Sequence, residues 1–264
     1  MTLNSKKEEF LIYKLADNMK NCIKIDADLF RKLDVKRGLR NDDGTGVLVG
    51  LTNIGNVVGY ERTENGLKPI EGKLYYRGYE ISDLVHAVLN EQRFGFEEIA
   101  YLLLSGGLPD AEELEQFRHL LVGNMPLMSK TMLNIVELEG RDIMNILARS
   151  VLELYTYDDT PDDISRENLM RQSVELISKF PTIIAYAYNM LRHKTFGRSL
   201  HIRHPKDNYS LAENFLYMLL GNNYTPLDAR TLDLLLILQA EHGGGNNSTF
   251  TVRVTSSTCT DTSS

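Results

Sequence analysis

The sequence predicts an all-α protein with one small β-hairpin region. From Ile81 onward, apolar residues recur at the spacing of amphipathic helices. Short runs rich in Val, Ile and Tyr, separated by Asn-Asp-Asp-Gly and Asn-Gly turn signals, are confined to the region near residues 46–77. With 264 residues, of which 42% are hydrophobic, the chain can form one large domain, or one domain and part of another.

The elements follow one another with recognisable boundaries. Residues 1–35 form a weak helical pattern, which predicts an N-terminal helical arm, and residues 36–264 form the main body. Helices are expected to begin at or near Ser82, Glu97, Asp110, residue 129, Asp142, Leu169, Asn208 or Ser210, and Asp228. Pro181 lies inside the stretch from Leu169 to Leu191, which predicts a kink or two abutting helices. The final segment, STFTVRVTSS, alternates like a strand.

Composition excludes several classes of function. A net charge of −7 offers no basic patch for nucleic acid or for an anionic membrane surface. Cys22 and Cys259 lie at opposite ends of the chain without CxxC spacing, which argues against zinc and against a disulfide framework. Neither a signal peptide nor an apolar run of ~20 residues is present, so we expect a cytoplasmic protein.

Two polar clusters resemble metal sites only superficially. Residues 156–168 contain several Asp, but the EF-hand spacing and its terminal Glu are missing. His193, His201 and His204 fit no single face of a helix or strand. The sequence therefore predicts two solvated loops and no metal.

The stretch from Leu232 to Ser248 is the main candidate for a functional site. Its first seven residues are nearly all apolar, which predicts a buried central helix. His242 follows at the C-terminal end, and Gly243 to Gly245 stop the helix because glycine adopts left-handed backbone angles freely. A histidine in this position can serve structure alone or bind a ligand, and the pattern by itself leaves both interpretations open.

Six blocks, in order from about Asp26 to the end of the chain, resemble a known family. They read KRGLRNDDGTGV, LYYRGYEISDL, FEEIAYLLLSGGLP, KFPTIIAYAY, SLAENFLYML and LDLLLILQAEHGGGNNSTFTVRVTSST. Together they resemble bacterial citrate synthases and their 2-methylcitrate synthase relatives. The resemblance implies a mostly helical dimer with a large and a small domain around a cleft. Such enzymes condense acetyl-CoA with oxaloacetate to citrate and CoA; acetyl-CoA is a co-substrate and no cofactor is bound. Residues 36–264 would then be an incomplete large domain, without the small domain.

The resemblance also assigns site residues. His242 matches the family histidine that donates a hydrogen bond to oxaloacetate, and Asn246 matches a supporting asparagine. Gln239 departs from the family, since many relatives carry a histidine there. For the segment after Ser248, the resemblance implies a helix rather than a strand.

Other family elements are absent from the sequence. We find no G-P-x-H-G element, no later G-x-G-H-x-x-Y element and no N-V-D segment, which in the family carry catalytic residues. The five remaining histidines stand in no matching context, namely His86, His119, His193, His201 and His204. No catalytic residue is therefore assigned, and we expect this chain to be inactive by itself. Apolar surface left bare on the helices predicts a homodimer or larger assembly.

Two alternatives remain at this point. The chain could be a non-catalytic helical subunit that dimerises with, and regulates, a complete enzyme. It could also belong to a 2-methylcitrate synthase that uses propionyl-CoA, because most of the residues that separate the two acyl-CoA preferences lie outside this sequence.

Overall fold

The computed structural model describes residues 13–17, 27–33, 38–40, 46–47, 52–64, 66–138, 142–243, 247–258 and 262. The chain divides into two compact units, Met1–Leu48 and Val49–Ser264. In the first unit, residues 13–17 are helical, helix α1 spans Ala27–Lys32, and Arg40 forms an antiparallel bridge with Gly46. The assignment of domains at residues 35 and 36 stays a prediction.

The second unit begins with an antiparallel sheet of three strands. Strand β1 spans Gly55–Thr63, β2 spans Gly66–Tyr76 and β3 spans Tyr79–Glu80, in the order β1-β2-β3. Gly55 lies opposite Tyr76 at one end of the hairpin, and the register shifts between Val58 and Tyr60. The hairpin region predicted near residues 46–77 is confirmed.

Helices form the rest of the described second unit. They are α2 (Ile81–Asn90), α3 (Phe96–Ser105), α4 (Ala111–Asn124), α5 (Ser129–Glu137), α6 (Ile143–Leu154), α7 (Arg166–Phe196), α8 (Leu211–Leu220), α9 (Pro226–Leu238) and α10 (Asn247–Ser256). Each helix that the periodicity predicts is present. Among the described residues, none of them combines the length and the apolarity that crossing a membrane requires.

Local capping explains several of these boundaries. Asp110, Ser210 and Thr225 each accept a hydrogen bond from the backbone three residues later, and a side chain there bonds back, which forms a capping box. The expected cap at Ser82 is wrong, because Glu80 is the N-cap of α2 and the Ser82 hydroxyl donates to its carboxylate over 3.1 Å.

Two expectations about helix continuity have different outcomes. Helix α7 runs unbroken through Pro181, so the alternative of two abutting helices is wrong. Pro181 is buried, and α7 packs against α4, α5, α6 and α8, which offsets the backbone hydrogen bond that proline removes. The segment after Ser248 forms α10, so the helix implied by the resemblance is confirmed and the strand-like alternation is misleading.

Three apolar clusters hold the described helices together, and two of them bear on the position of the site. One lies around the middle of α7 and contains Ile183 and Tyr186 together with Ile146 of α6 and Met218 of α8. The other joins the sheet to α2, α3 and α9 through residues that include Tyr76, Ile99, Leu102 and Ile237. This second cluster positions the end of α9, which leads into His242.

Helix α9 is less buried than its sequence predicts. Only Ala229, Asp233 and Ile237 are buried, whereas Leu235 and Leu238 are 47% and 45% exposed. The three buried residues are four apart, so a single stripe of the helix faces the core of the described unit. The prediction of a centrally buried helix is therefore wrong, and the prediction that apolar surface of α9 is left bare is confirmed.

Candidate functional site

His242 lies on an exposed turn just after α9. The helix ends at Gln239, whose backbone N–H donates to the carbonyl of Leu235 over 3.2 Å. The side chain of His242 is exposed, and its Nδ1 lies 3.2 Å from the carbonyl oxygen of Gly243. The other ring nitrogen, Nε2, has no partner in the part of the chain that the structure describes. A nitrogen so placed can bond an oxygen atom of a ligand.

The carboxylate of Glu241 holds the turn on which His242 sits. Its Oε1 accepts a hydrogen bond from the backbone N–H of His242 over 3.0 Å and one from Gly243 over 2.6 Å. Gly243 has a φ of +78°, a conformation that favours glycine, and is itself buried. A Cβ at Gly243 would also lie 3.4 Å from Cγ2 of Val57. The conformation of the turn therefore depends on the side chain of Glu241 and on the glycine at position 243.

Tyr76 connects this turn to the end of strand β2. Its fully buried hydroxyl donates to the carbonyl of Ile237 over 2.8 Å and accepts from the backbone N–H of Glu241 over 3.2 Å. The same hydroxyl lies 3.1 Å from the carbonyl oxygen of Glu241. Burial raises the pKa of Tyr76, so its hydroxyl keeps its proton. A backbone carbonyl in the last turn of α9 and a backbone N–H just after the helix thus find a partner on a distant strand.

Gly55 leaves the space that Glu241 occupies. It is buried at the start of β1, and a Cβ at this position would lie 2.3 Å from Cγ of Glu241. Real atoms do not approach so closely, so glycine is required here for the side chain of Glu241 to keep its position. Tyr76 and Gly55 are register partners in the hairpin, so one end of the sheet forms the whole support.

Asp233 stabilises the helix that bears the site, one turn before Ile237 on the same buried stripe. It is 1% exposed, and its carboxylate accepts hydrogen bonds from the backbone N–H of Gly95 over 2.8 Å and of Phe96 over 3.1 Å. Burial raises the pKa of Asp233 to about 6, with a smaller rise from Glu97, while the two amides and Arg118 act in the opposite direction. Asp233 links α9 to the N-terminus of α3 and so fixes the position of α9 and of the turn that follows it.

The structure describes one of the two predicted site residues. His242 is on the exposed turn, whereas Asn246 lies outside the described residues. Of the other histidines, His193 bonds the carbonyl of Arg198 and His119 pairs with Glu115, both at the surface. Within the described ranges, no group of three or more His, Cys, Asp or Glu could hold a metal ion.

Sequence reasoning did not single out Glu241, Tyr76, Gly55 or Asp233. Only Asp233 carries a local signal, since an acid stands within an otherwise apolar run. The other three act together across 165 residues or more of sequence, which no local pattern reports.

Comparison with known proteins identifies what the chain is similar to. Residues 43–264 match the family model described as citrate synthase, C-terminal domain. Citrate synthase of Deinococcus radiodurans is 36% identical over 192 residues, covering 72% of this chain and 48% of the relative. Citrate synthase of Haloferax volcanii is 34% identical over 195 residues, covering 72% of this chain and 48% of the relative.

Solved structures agree on the fold. The crystal structure of citrate synthase from Pyrobaculum aerophilum superposes with a TM-score of 0.69 at 30% identity, covering 87% of this chain and 55% of that one. The enzyme of Thermoplasma acidophilum, solved as a ternary complex with carboxymethyl coenzyme A and oxaloacetate, has a TM-score of 0.68 at 22% identity, which supports the fold alone. The superposition covers 82% of this chain and 51% of the Thermoplasma chain. The chain spans about half the length of the curated relatives it matches.

Proposed function

The chain belongs to the citrate synthase family, and from that premise we propose that it supplies the oxaloacetate-binding part of an acyltransferase. The complete reaction condenses acetyl-CoA with oxaloacetate to give citrate and CoA. The observation that carries the proposal is the exposed imidazole of His242 on a turn held by Glu241. The resemblance to the family supports it by matching His242 to the histidine that binds oxaloacetate. Asn246 would support the same site.

The chemistry explains why an imidazole belongs there. When the acetyl methyl carbon attacks the ketone of oxaloacetate, negative charge develops on the ketone oxygen, and a fixed hydrogen-bond donor lowers the barrier. An imidazole N–H can donate such a hydrogen bond, and Nε2 is the ring nitrogen of His242 that does not face the carbonyl of Gly243. Helix α10 begins at Asn247, and the partial positive charge at the N-terminus of a helix favours an anion such as oxaloacetate.

The proposal includes an expectation about turnover. No residue of this sequence matches the family's base or its second histidine, so the 264-residue chain should bind oxaloacetate without converting it. Thiol release from acetyl-CoA in the presence of oxaloacetate should stay at the blank rate, and propionyl-CoA should give the same result. Turnover that His242→Ala abolishes would show that other residues supply the base.

Calorimetric titration of oxaloacetate into the purified chain tests the binding step. Wild type and the matched control His204→Ala, which alters another exposed histidine, should bind alike. His242→Ala should bind at least roughly tenfold more weakly, because the loss of one charge-assisted hydrogen bond has about that effect. Equal affinity in both variants would refute the role of His242.

A second candidate, a dimerising or regulatory subunit, is favoured by one specific observation. Met144 and Leu152 on α6 and Tyr188 on α7 are 66%, 53% and 44% exposed, so these two neighbouring helices carry large apolar side chains that the described chain leaves uncovered. Light scattering should therefore report a dimer or larger assembly. A stable complex with a complete citrate synthase, formed in preference to the homodimer, would favour the regulatory alternative.

A further inference from the structure

Glu241, the residue before the proposed ligand-binding histidine, has its carboxylate turned back onto the main chain that follows it. A single oxygen, Oε1, accepts the backbone N–H groups of both His242 and Gly243. Because both amides converge on one atom, the orientation of the two successive peptide planes is set by the position of that oxygen. The direction in which the His242 side chain leaves the backbone follows from those planes.

Glu241 is itself fixed from two sides by the sheet. Its backbone N–H donates to the Tyr76 hydroxyl over 3.2 Å, and its Cγ occupies the space above Gly55 that a Cβ would fill. Main chain and side chain are therefore both held by residues of a rigid hairpin. A site supported in this way keeps its geometry without help from the ligand.

Charge makes the placement of Glu241 informative. Oxaloacetate is a dianion, and a carboxylate adjacent to the histidine that binds it repels the ligand. A negative residue at this position therefore lowers affinity unless it has a compensating effect. The structure offers one compensating effect, namely the two hydrogen bonds that backbone N–H groups donate to Oε1.

We propose that Glu241 is a positioning residue, whose carboxylate oxygen orients the His242 imidazole for oxaloacetate and is kept in place by Tyr76 and Gly55. The inference rests on the proposed function, because it assigns a second residue to the same binding site. Glu241 acts through the backbone of His242 and does not itself touch the substrate.

When Glu241 is replaced, charge repulsion and positioning predict opposite changes in the affinity for oxaloacetate. Glu241→Ala removes a repelling charge, so electrostatics alone predicts tighter oxaloacetate binding, whereas positioning predicts binding that is roughly tenfold weaker. Glu241→Gln keeps an acceptor oxygen and removes the charge, so its Kd should equal that of wild type or be lower. Gly55→Ala should displace the side chain of Glu241 and weaken binding as Glu241→Ala does. Gly59→Ala, in the same strand with open space around it, is the matched control and should bind normally.

A second readout does not depend on oxaloacetate. Hydrogen exchange of the His242 and Gly243 amides, followed by NMR, should be faster in Glu241→Ala and in Gly55→Ala than in wild type, Glu241→Gln and Gly59→Ala. Normal amide protection in Glu241→Ala, or tighter oxaloacetate binding by it, would overturn the inference. If wild type and His242→Ala bind oxaloacetate equally, the proposed function fails, while the exchange rates still decide whether Glu241 orients the turn.

Discussion

The buried carboxylate of Asp233 predicts how stability depends on pH. Its pKa is about 6 in the folded protein, against 3.8 for an ordinary aspartate, so the folded state binds this proton more tightly than the unfolded chain does. Protonated Asp233 therefore contributes stability that is fully present below about pH 4 and is lost as the pH rises through 6. A difference of about two pKa units at ~1.4 kcal/mol each corresponds to roughly 3 kcal/mol.

Urea unfolding of wild type and Asp233→Asn between pH 4.5 and 7.5 measures this effect. The variant is less stable throughout, since the N–H groups of Gly95 and Phe96 bond different oxygens of the Asp233 carboxylate and asparagine keeps only one acceptor oxygen. Its deficit should shrink by about 2 kcal/mol over this range as the pH rises, because only wild type loses the contribution of the proton. Asp228→Asn is the control whose stability difference from wild type should stay constant over this range, because hydrogen bonds from Thr225 lower the pKa of Asp228 below its ordinary 3.8 and its contribution is lost only at more acidic pH. A deficit in Asp233→Asn that does not change with pH would refute the reasoning.

Three further substitutions test the supports of the site and of the core. Tyr76→Phe removes the hydroxyl that bonds two backbone groups and should lower the free energy of unfolding by about 1–3 kcal/mol, measured by urea titration; no change would mean that water replaces those bonds. Gly95→Ala would place a Cβ 2.3 Å from Cγ2 of Val88 and should cost about 1–3 kcal/mol, whereas Gly107→Ala, with open space around it, should leave the melting temperature nearly unchanged. Asn214→Leu, which removes three hydrogen bonds of a fully buried side chain to the backbone of the preceding loop, should lower the melting temperature by several degrees; an unchanged value would contradict the importance of that contact.

Much of the helical architecture is local and was therefore predictable. The boundaries at Asp110 and Ser210 depend on a side chain and an amide three residues apart, which the sequence displays directly. The burial of α9 was not predictable in the same way. Its leucines predict a helix buried on every side, yet Leu235 and Leu238 are half exposed, because burial depends on which elements pack against the helix.

The candidate site likewise combines a residue whose position the sequence predicts with residues whose role it does not predict. The position of His242 at the end of α9 follows from the apolar run and the glycines after it. Its supports do not, because Tyr76 and Gly55 meet Glu241 only when the hairpin packs against the end of α9. A tyrosine and a glycine in a strand carry no mark of a contact so far along the chain. The family resemblance named the histidine, and the structure adds the residues that hold it.

The most direct test of the central claim is an NMR titration of the histidine ring nitrogens with oxaloacetate. His242 is assigned by the loss of its signals in His242→Ala, and His204 provides an exposed reference ring in the same sample. The account predicts that oxaloacetate shifts the Nε2 signal of His242 in a saturable manner and leaves His204 unchanged. An unshifted His242, or equal shifts in both rings, would contradict the claim that His242 binds oxaloacetate.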